Sequence, residues 1–331
     1  MRRLAGNEAI REEGVHLERY TPSRARNWNE FVASARNGVF LFHRDYMDYH
    51  ADRFSDHSLL VYQAGRLLAV LPANEHEGTL FSHGGLTFGG FISGARMSVA
   101  MMLDTFAALI DYGRERGLER LIYKPVPHIY HRVPAEEDLY ALFRCGARLT
   151  GRSASSTIDL AGRLRPTKGR KWGASKARRH GLVVRRSAEI ERFMEIEETQ
   201  LRTKYGLKPT HTAAEMGLLT ERFPENIHLY AAYEGSVMLG GSIVYESENV
   251  AHAQYIATSA RGRDVAALDA VLDHLLNEVY ATKRYFDFGI STEDEGRHLN
   301  LGLVTNKESY GGRGIVYDSY DLNFGSAAVE G

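Results

Sequence analysis

The sequence is short of cysteine, of net charge and of long apolar runs, and each shortage excludes something. One cysteine, Cys145, stands among 331 residues, which excludes an internal disulfide and a cysteine-rich zinc site and fits a reducing compartment. Cys145 lies in FRCGA with no histidine nearby in sequence, so a covalent acyl-enzyme is not expected. The formal net charge of −1 argues against a uniformly basic coat for nucleic acid. No apolar run approaches the ~20 residues of a membrane helix; the longest candidate, Ser98 to Ile110, is interrupted by Asp104. The opening MRRLAGNEAIREEGVH has no apolar stretch behind its arginines, so no secretory signal is expected. His43 to His50 is too loosely spaced and too aromatic for a metal site, and no metal is expected. The expectation is a soluble, cytoplasmic protein.

What is present is a core and a plan used twice. Hydrophobic residues make up 44% and charged residues 25%, enough apolar material for buried layers, and the length suggests two domains. In the first half Val15 to Tyr20 reads as a strand, and Trp28, Phe31 and Val32 have helical spacing. SLLVYQAGRLLAVLPA reads as a hairpin turning at Ala64-Gly65. A helix from about Ala95 to Glu115, a strand ending at Pro125, a short helix ending at Gly146 and the strand RSASSTIDL follow. The second half repeats the order: strand GLVVRRS, amphipathic helix AEIERFMEIEETQLRTKYG, a three-stranded meander from His228 to Ser259, helix DVAALDAVLDHLLNEVYA and strand RYFDFGI. The expected fold is therefore α/β (α+β), each half a mixed, largely antiparallel sheet flanked by helices. The expected division is a flexible N-terminus at 1–14, a first domain at 15–162 and a second at 163–331 that opens with a basic helix.

That opening is the most biased segment of the chain. From Arg163 to Arg186 there are ten Lys or Arg and no acid, which leaves −11 for all other residues. A charge run is ordinarily a solvated helix face. One this pure is also a site for phosphates of a cofactor, a nucleotide-linked substrate or an RNA end.

Four stretches carry candidate chemistry. LFSHGGLTFGGF offers His83 beside Gly84 and Gly85, where backbone without side chains allows either a plain turn or the close approach of a ligand. YKPVPHIYHR leaves a core strand through two prolines and presents Lys124, His128 and Tyr130. ATSARGRDVAALDAVL ends a strand, turns at Gly262 and starts a helix near Arg263-Asp264, whose free N–H groups suit a pyrophosphate; Asp264 as a simple helix cap is the plainer alternative. FDFGISTEDEGRHLNLGLVTNKESYGG begins as a buried strand in which Asp287 must find partners or lose several kcal/mol. It then scatters Glu293, His298, Lys307 and Tyr310 over one connection, with Lys307 and Tyr310 on one helical face.

The last two of those stretches, with LFSHGGLTFGGF, give the chain from about Trp28 to Leu322 a resemblance to the GNAT acyltransferase superfamily, in its tandem-domain, Fem-like (peptidoglycan-bridge) branch. It looks especially like acyltransferase-like proteins of bacterial surface-polysaccharide clusters. The resemblance implies two GNAT-like domains. It also implies a coenzyme A pyrophosphate loop, which falls here on Arg261, Gly262, Arg263, Val265, Ala266 and Ala267, and an acyl-transfer lysine in an F-K-x-x-F-G segment, matched by Lys307 in NKESYGG. The function expected on these grounds is N-acyl transfer from acetyl-CoA or another acyl-CoA to a small amine such as an amino sugar or amino acid derivative. Two alternatives stay open: an aminoacyl-tRNA-dependent transferase whose basic segment grips tRNA, and an inactive GNAT-like binding module. In the expected mechanism Glu293 is the general base with His298 second, Lys307 stabilises the oxyanion, and Tyr310 protonates the leaving group. His83, Gly84, Gly85, Lys124, His128 and Tyr130 contact the acceptor. Lys307, Glu293 and the amides near Val265 are expected to share one cavity.

Overall fold

The computed structural model describes residues 14–328, so the expected flexible segment 1–14 lies almost wholly outside the described residues. Two compact units emerge: one gathers residues up to Ser153 with those from Val316 onward, the other is Ala154–Ile315. The division differs from the expected cut at 162/163 because a final strand, which the sequence reading does not contain, returns to the first unit. RGIVYDSYDLN alternates too weakly to announce that strand.

The strands of the first unit are β1 (His16–Arg19), β2 (Ser55–Asp56), β3 (Leu59–Gln63), β4 (Arg66–Leu71), β5 (Asn74–His76), β6 (Thr79–Phe81), β7 (Ile92–Ser93) and β8 (Arg120–Tyr123). The start of β9 (Arg148–Asp159) and the end of β17 (Arg313–Asn323) complete them. An antiparallel sheet runs β1-β3-β4-β7, and a mixed one runs β17-β8-β6-β5-β2 with β6 and β8 parallel. The β3–β4 hairpin turns through Ala64 and Gly65 at φ +48° and +69°, the left-handed pair that matches strand twist. Helices α1 (Ala25–Ser34), α2 (Arg44–Met47), α3 (Val99–Glu115) and α4 (Glu137–Arg144) accompany them. Helix α3 starts after Ser98, whose Oγ accepts the Met101 N–H, and buries Met102, Phe106, Leu109 and Ile110 on one face.

In the second unit the order is β10 (Val183–Ser187), β11 (Ile227–Glu234), β12 (Val237–Glu246), β13 (Val250–Thr258), β14 (Tyr285–Ile290) and then the end of β9. The pairs are antiparallel except β13 and β14, which run parallel. A small ribbon pairs β15 (Thr292–Glu293) with β16 (His298–Leu299). The helices are α5 (Lys168–Arg179), α6 (Ile190–Tyr205), α7 (Ala213–Arg222), α8 (Ala260–Asp264), α9 (Ala267–His274) and α10 (Leu301–Glu308). Val271, Leu272 and Leu275 form a core with Ala251, Ala253, Phe286 and Phe288 of the sheet. Leu229, Ala231 and Tyr233, of opposite parity in β11 to the Tyr230 and Ala232 of that core, are buried as well.

The helix expected to run unbroken from Asp264 is interrupted. Ala266 sits at φ +61°, ψ +40°, between α8 and α9, and the run continues past His274 as a π turn at Leu275–Val279. Sequence periodicity does not register a single left-handed residue inside an apolar run.

Candidate active site

The parallel strands β13 and β14 pair only from Val250 to His252 against Tyr285 to Asp287. Beyond that point they part, and the freed strand finds a side chain instead: Gln200 of α6 donates to Ile256 O (3.4 Å) and accepts from Thr258 N (3.1 Å). A cavity of about 1470 Å³ opens in this unit, lined by α6, the end of β13, the α8–α9 junction, Phe288 and α10. Arg170, Arg192, Arg202, Lys204, Arg263 and Lys307 lie on its wall against Glu195, Glu198 and Asp269, so cations outnumber acids. Ile256, Leu268, Leu272, Phe288 and Leu303 supply an apolar part. Ala266 is also on the wall, and the first N–H groups of α9, at Ala267, Leu268 and Asp269, have no carbonyl one turn back to accept them. Such a wall suits a ligand with phosphates and an apolar arm.

Lys307 is 7% exposed yet belongs to the wall. Its Nζ donates to Gly289 O at 2.8 Å and Ile290 O at 2.7 Å. Both carbonyls face it because β14 bulges against β9 between Asp287 and Ile290, a shift that passes through Gly289 at φ +74°. Burial lowers the Lys307 pKa to about 8 against the opposing pull of Asp287. An ammonium has three donors and two are taken, so the third is available for a charge that forms in the cavity.

Asp287 is fully buried and finds the partners its position in a core strand demands. Its carboxylate accepts from Ser155 Oγ (2.6 Å), Thr157 Oγ1 (2.7 Å) and His252 Nδ1 (2.8 Å). Burial pushes its pKa up, but these donors and the nearby imidazole outweigh it and hold the group well below the usual carboxylate range.

A second network fixes α5 to α9. Asp269 Oδ1 accepts from Tyr310 Oη at 2.7 Å and from Arg170 Nη1 at 3.1 Å, while the Arg170 guanidinium lies 4.3 Å from the centre of the Tyr310 ring. Gly173 is required here, because a Cβ on it would strike the Asp269 carboxylate. The remaining face of α5 is open: Lys168, Lys171 and Arg179 are exposed, Trp172 is 59% exposed, and Lys176 Nζ lies 5.3 Å from the Trp172 ring.

The expected site residues therefore separate. Lys307, Gly262, Arg263 and Ala266 share the cavity wall. Glu293 and His298 do not line it; they face each other in register across the β15–β16 ribbon, both exposed, so the general-base expectation placed on them is corrected. Tyr310 is buried and spends its proton on Asp269, with a pKa raised by burial and by that carboxylate, so it orients Asp269 rather than serving a leaving group. Arg261 points elsewhere, forked onto Glu234 at 2.5 and 3.1 Å. Val265 and Ala267 belong to the core, and Gly262 is small because a Cβ would meet Thr258 Oγ1 and Leu239 O. In the first unit, His83 is buried with its pKa lowered to about 3 by burial and neighbouring cations, and Lys124 donates to Leu86 O with burial lowering it to about 8. Gly84 donates to Asn74 Oδ1 (2.6 Å), a Cβ on Gly85 would strike His50, Tyr130 Oη meets Tyr317 Oη at 3.3 Å, and His128 is exposed. These glycines serve internal packing, and none of the six first-unit residues lines the cavity. His252 and Gln200 went unnoticed in the sequence, since only the fold brings them to Asp287 and Thr258. Among the described residues no three His, Cys, Asp or Glu are grouped to hold a metal ion, and no helix is long and apolar enough to cross a membrane.

Residues 167–296, which supply most of this site, match the acetyltransferase (GNAT) domain family. Comparison with curated protein sequences finds no match. Among solved structures the chain is similar to FemX, at 13% identity and a TM-score of 0.64 over 93% of this chain and 97% of that one. It is also similar to the C-terminal domain of a putative lysylphosphatidylglycerol synthetase from Agrobacterium fabrum, at 9% identity and a TM-score of 0.60 over 91% and 92%. A tandem GNAT protein from the clavulanic acid biosynthesis pathway matches at 11% identity and a TM-score of 0.50 over 94% and 98%. The likeness to a GNAT domain thus covers residues 167–296, and over its length the chain has the fold shared by FemX and the tandem GNAT protein.

Proposed function

We propose that the protein is an acyltransferase that holds a phosphate-bearing acyl donor in the second-unit cavity and moves the acyl group to the amine of a small acceptor, such as an amino sugar or an amino acid derivative. The observation that carries this is Lys307, tethered by two carbonyls with one donor left over, on a wall shared with the start of α9. As the amine nitrogen bonds to the acyl carbon, the carbonyl oxygen becomes an oxyanion, and the third Lys307 N–H stabilises it. A positioned donor of this kind is worth ~10²–10³ in rate. The bond from the acyl carbon to sulfur or oxygen then breaks. Arg170, Arg192, Arg202 and Arg263 supply cations for the donor's phosphates.

The leading donor is acetyl-CoA or another acyl-CoA. A second reading takes aminoacyl-tRNA, as the Fem resemblance implies; the open basic face of α5, with Trp172 free to stack on a base, favours it. Thermal melting with coenzyme A, beside tRNA binding at graded salt, tests both. A melting rise with coenzyme A supports the first; affinity falling steeply with salt and weakened by Lys168→Ala/Lys171→Ala/Trp172→Ala supports the second. Response to neither would remove the donor site.

A further inference from the structure

Glu293 and His298 stand exposed on the β15–β16 ribbon. His252 is not on the cavity wall either, but it lies beside Gly289, whose carbonyl holds the wall residue Lys307, and no sequence spacing suggests it. We propose that His252, oriented by Asp287, accepts the proton of the attacking amine; the proposal rests on the acyltransferase reading above.

His252 and Asp287 are the last residues paired in register before β13 and β14 separate, so the dyad stands at the apex of the gap. The ionised Asp287 has no proton to offer, hence His252 Nδ1 carries the hydrogen of the 2.8 Å bond and Nε2 of the neutral ring keeps its lone pair. Ser155 and Thr157 lock the carboxylate from the opposite side. Nε2 has no hydrogen-bond partner among the described residues and is not sealed off, and 17% of the side chain is exposed. A buried carboxylate that fixes the tautomer of a partly open imidazole is the arrangement a general base requires.

Gly289 lies between His252 and the proposed oxyanion donor. A Cβ on Gly289 would lie 3.2 Å from His252 Cε1 and 3.9 Å from Nε2, while the carbonyl of the same residue is 2.8 Å from Lys307 Nζ. His252 and Lys307 thus flank one bare glycine, one poised to take a proton and the other to face negative charge. Over the reaction an ammonium nitrogen gives up two protons as its bond to the acyl carbon forms. Nε2 takes each in turn and passes one to the departing sulfur or ribose oxygen and the other to water.

The test compares two nucleophiles on acetyl-CoA, or on aminoacyl-tRNA if that is the donor bound. Hydroxylamine is uncharged at neutral pH and requires little help; ethanolamine is an ammonium and must be deprotonated. His252→Ala, and His252→Gln whose amide can still donate to Asp287, should lower the ethanolamine rate ~10²-fold or more and leave the hydroxylamine rate within about threefold. Added imidazole should restore ethanolamine transfer in His252→Ala. Equal loss on both nucleophiles, or no loss on either, overturns the proposal. Failure of the wild-type protein with both nucleophiles and both donors removes the acyltransferase reading instead, and this proposal with it.

Discussion

Replacing Lys307 with methionine should separate activity from stability, and the direction of the stability change should depend on pH. The folded protein holds the Lys307 pKa at about 8, against 10.5 for a free lysine. Because the folded value is the lower one, the buried charge costs stability in full below about pH 8, and that cost fades as pH rises toward 10.5. At 1.36 kcal/mol per pKa unit it amounts to roughly 3 kcal/mol at pH 7 and under about 1 kcal/mol at pH 10. Methionine removes the charge but leaves the carbonyls of Gly289 and Ile290 without their donor, a loss of about 1 kcal/mol each. Lys307→Met should therefore be about 1 kcal/mol more stable than the wild type at pH 7 and about 1 kcal/mol less stable at pH 10. Turnover should fall ~10²–10³-fold, since the oxyanion loses its donor. Urea denaturation at the two pH values, beside thiol release from acetyl-CoA, reads both quantities. A variant that keeps a tenth of its turnover, or that loses several kcal/mol at pH 7, refutes the assignment.

Asp138 gives an independent check in the first unit: burial raises its carboxyl from 3.8 to about 7 although Tyr123 Oη donates to it at 2.7 Å. With the folded value raised, its contribution is lost as pH climbs, so the wild type should lose roughly 2–3 kcal/mol from this group between pH 5 and pH 8, and Asp138→Asn should lack that component in urea titrations. Gly173→Ala should destabilise the protein on the order of 1–3 kcal/mol by driving a methyl into the Asp269 carboxylate, and should weaken donor binding measured by calorimetry. Gly262→Ala, which presses on Leu239 O and Thr258, should do the same; an unchanged melting temperature in either variant contradicts the packing described.

Much of the architecture was legible because short-range physics fixed it. The Ala64-Gly65 turn, the apolar spacing of α3 and the turns of the meander each declare themselves within a few residues. Lys307 was singled out for a different reason, the motif around it, and it lies on the cavity wall. Direction was not legible. Glu293 and His298 stood in the most polar connection of the chain, yet a two-stranded ribbon turns them outward, and composition carries no sign of that. The glycines around His83 looked like room for a ligand and proved to be room for His50 and Phe54. His252 and Asp287, 35 positions apart, meet only because parallel strands bring them level, and no local pattern encodes parallel register.

The route of the backbone sets a limit on how this protein is made. Its terminal strand pairs Tyr320 with Tyr123 and Leu322 with Leu121, and Phe324 fills the space left by Gly113. The residues up to Ser153 thus wait for a strand translated after Ile315, while Ala154–Ile315 has all its residues already. A chain halted just after Ile315 would own a whole cavity and an unfinished neighbour. The second unit should then resist protease longer than the residues translated before it.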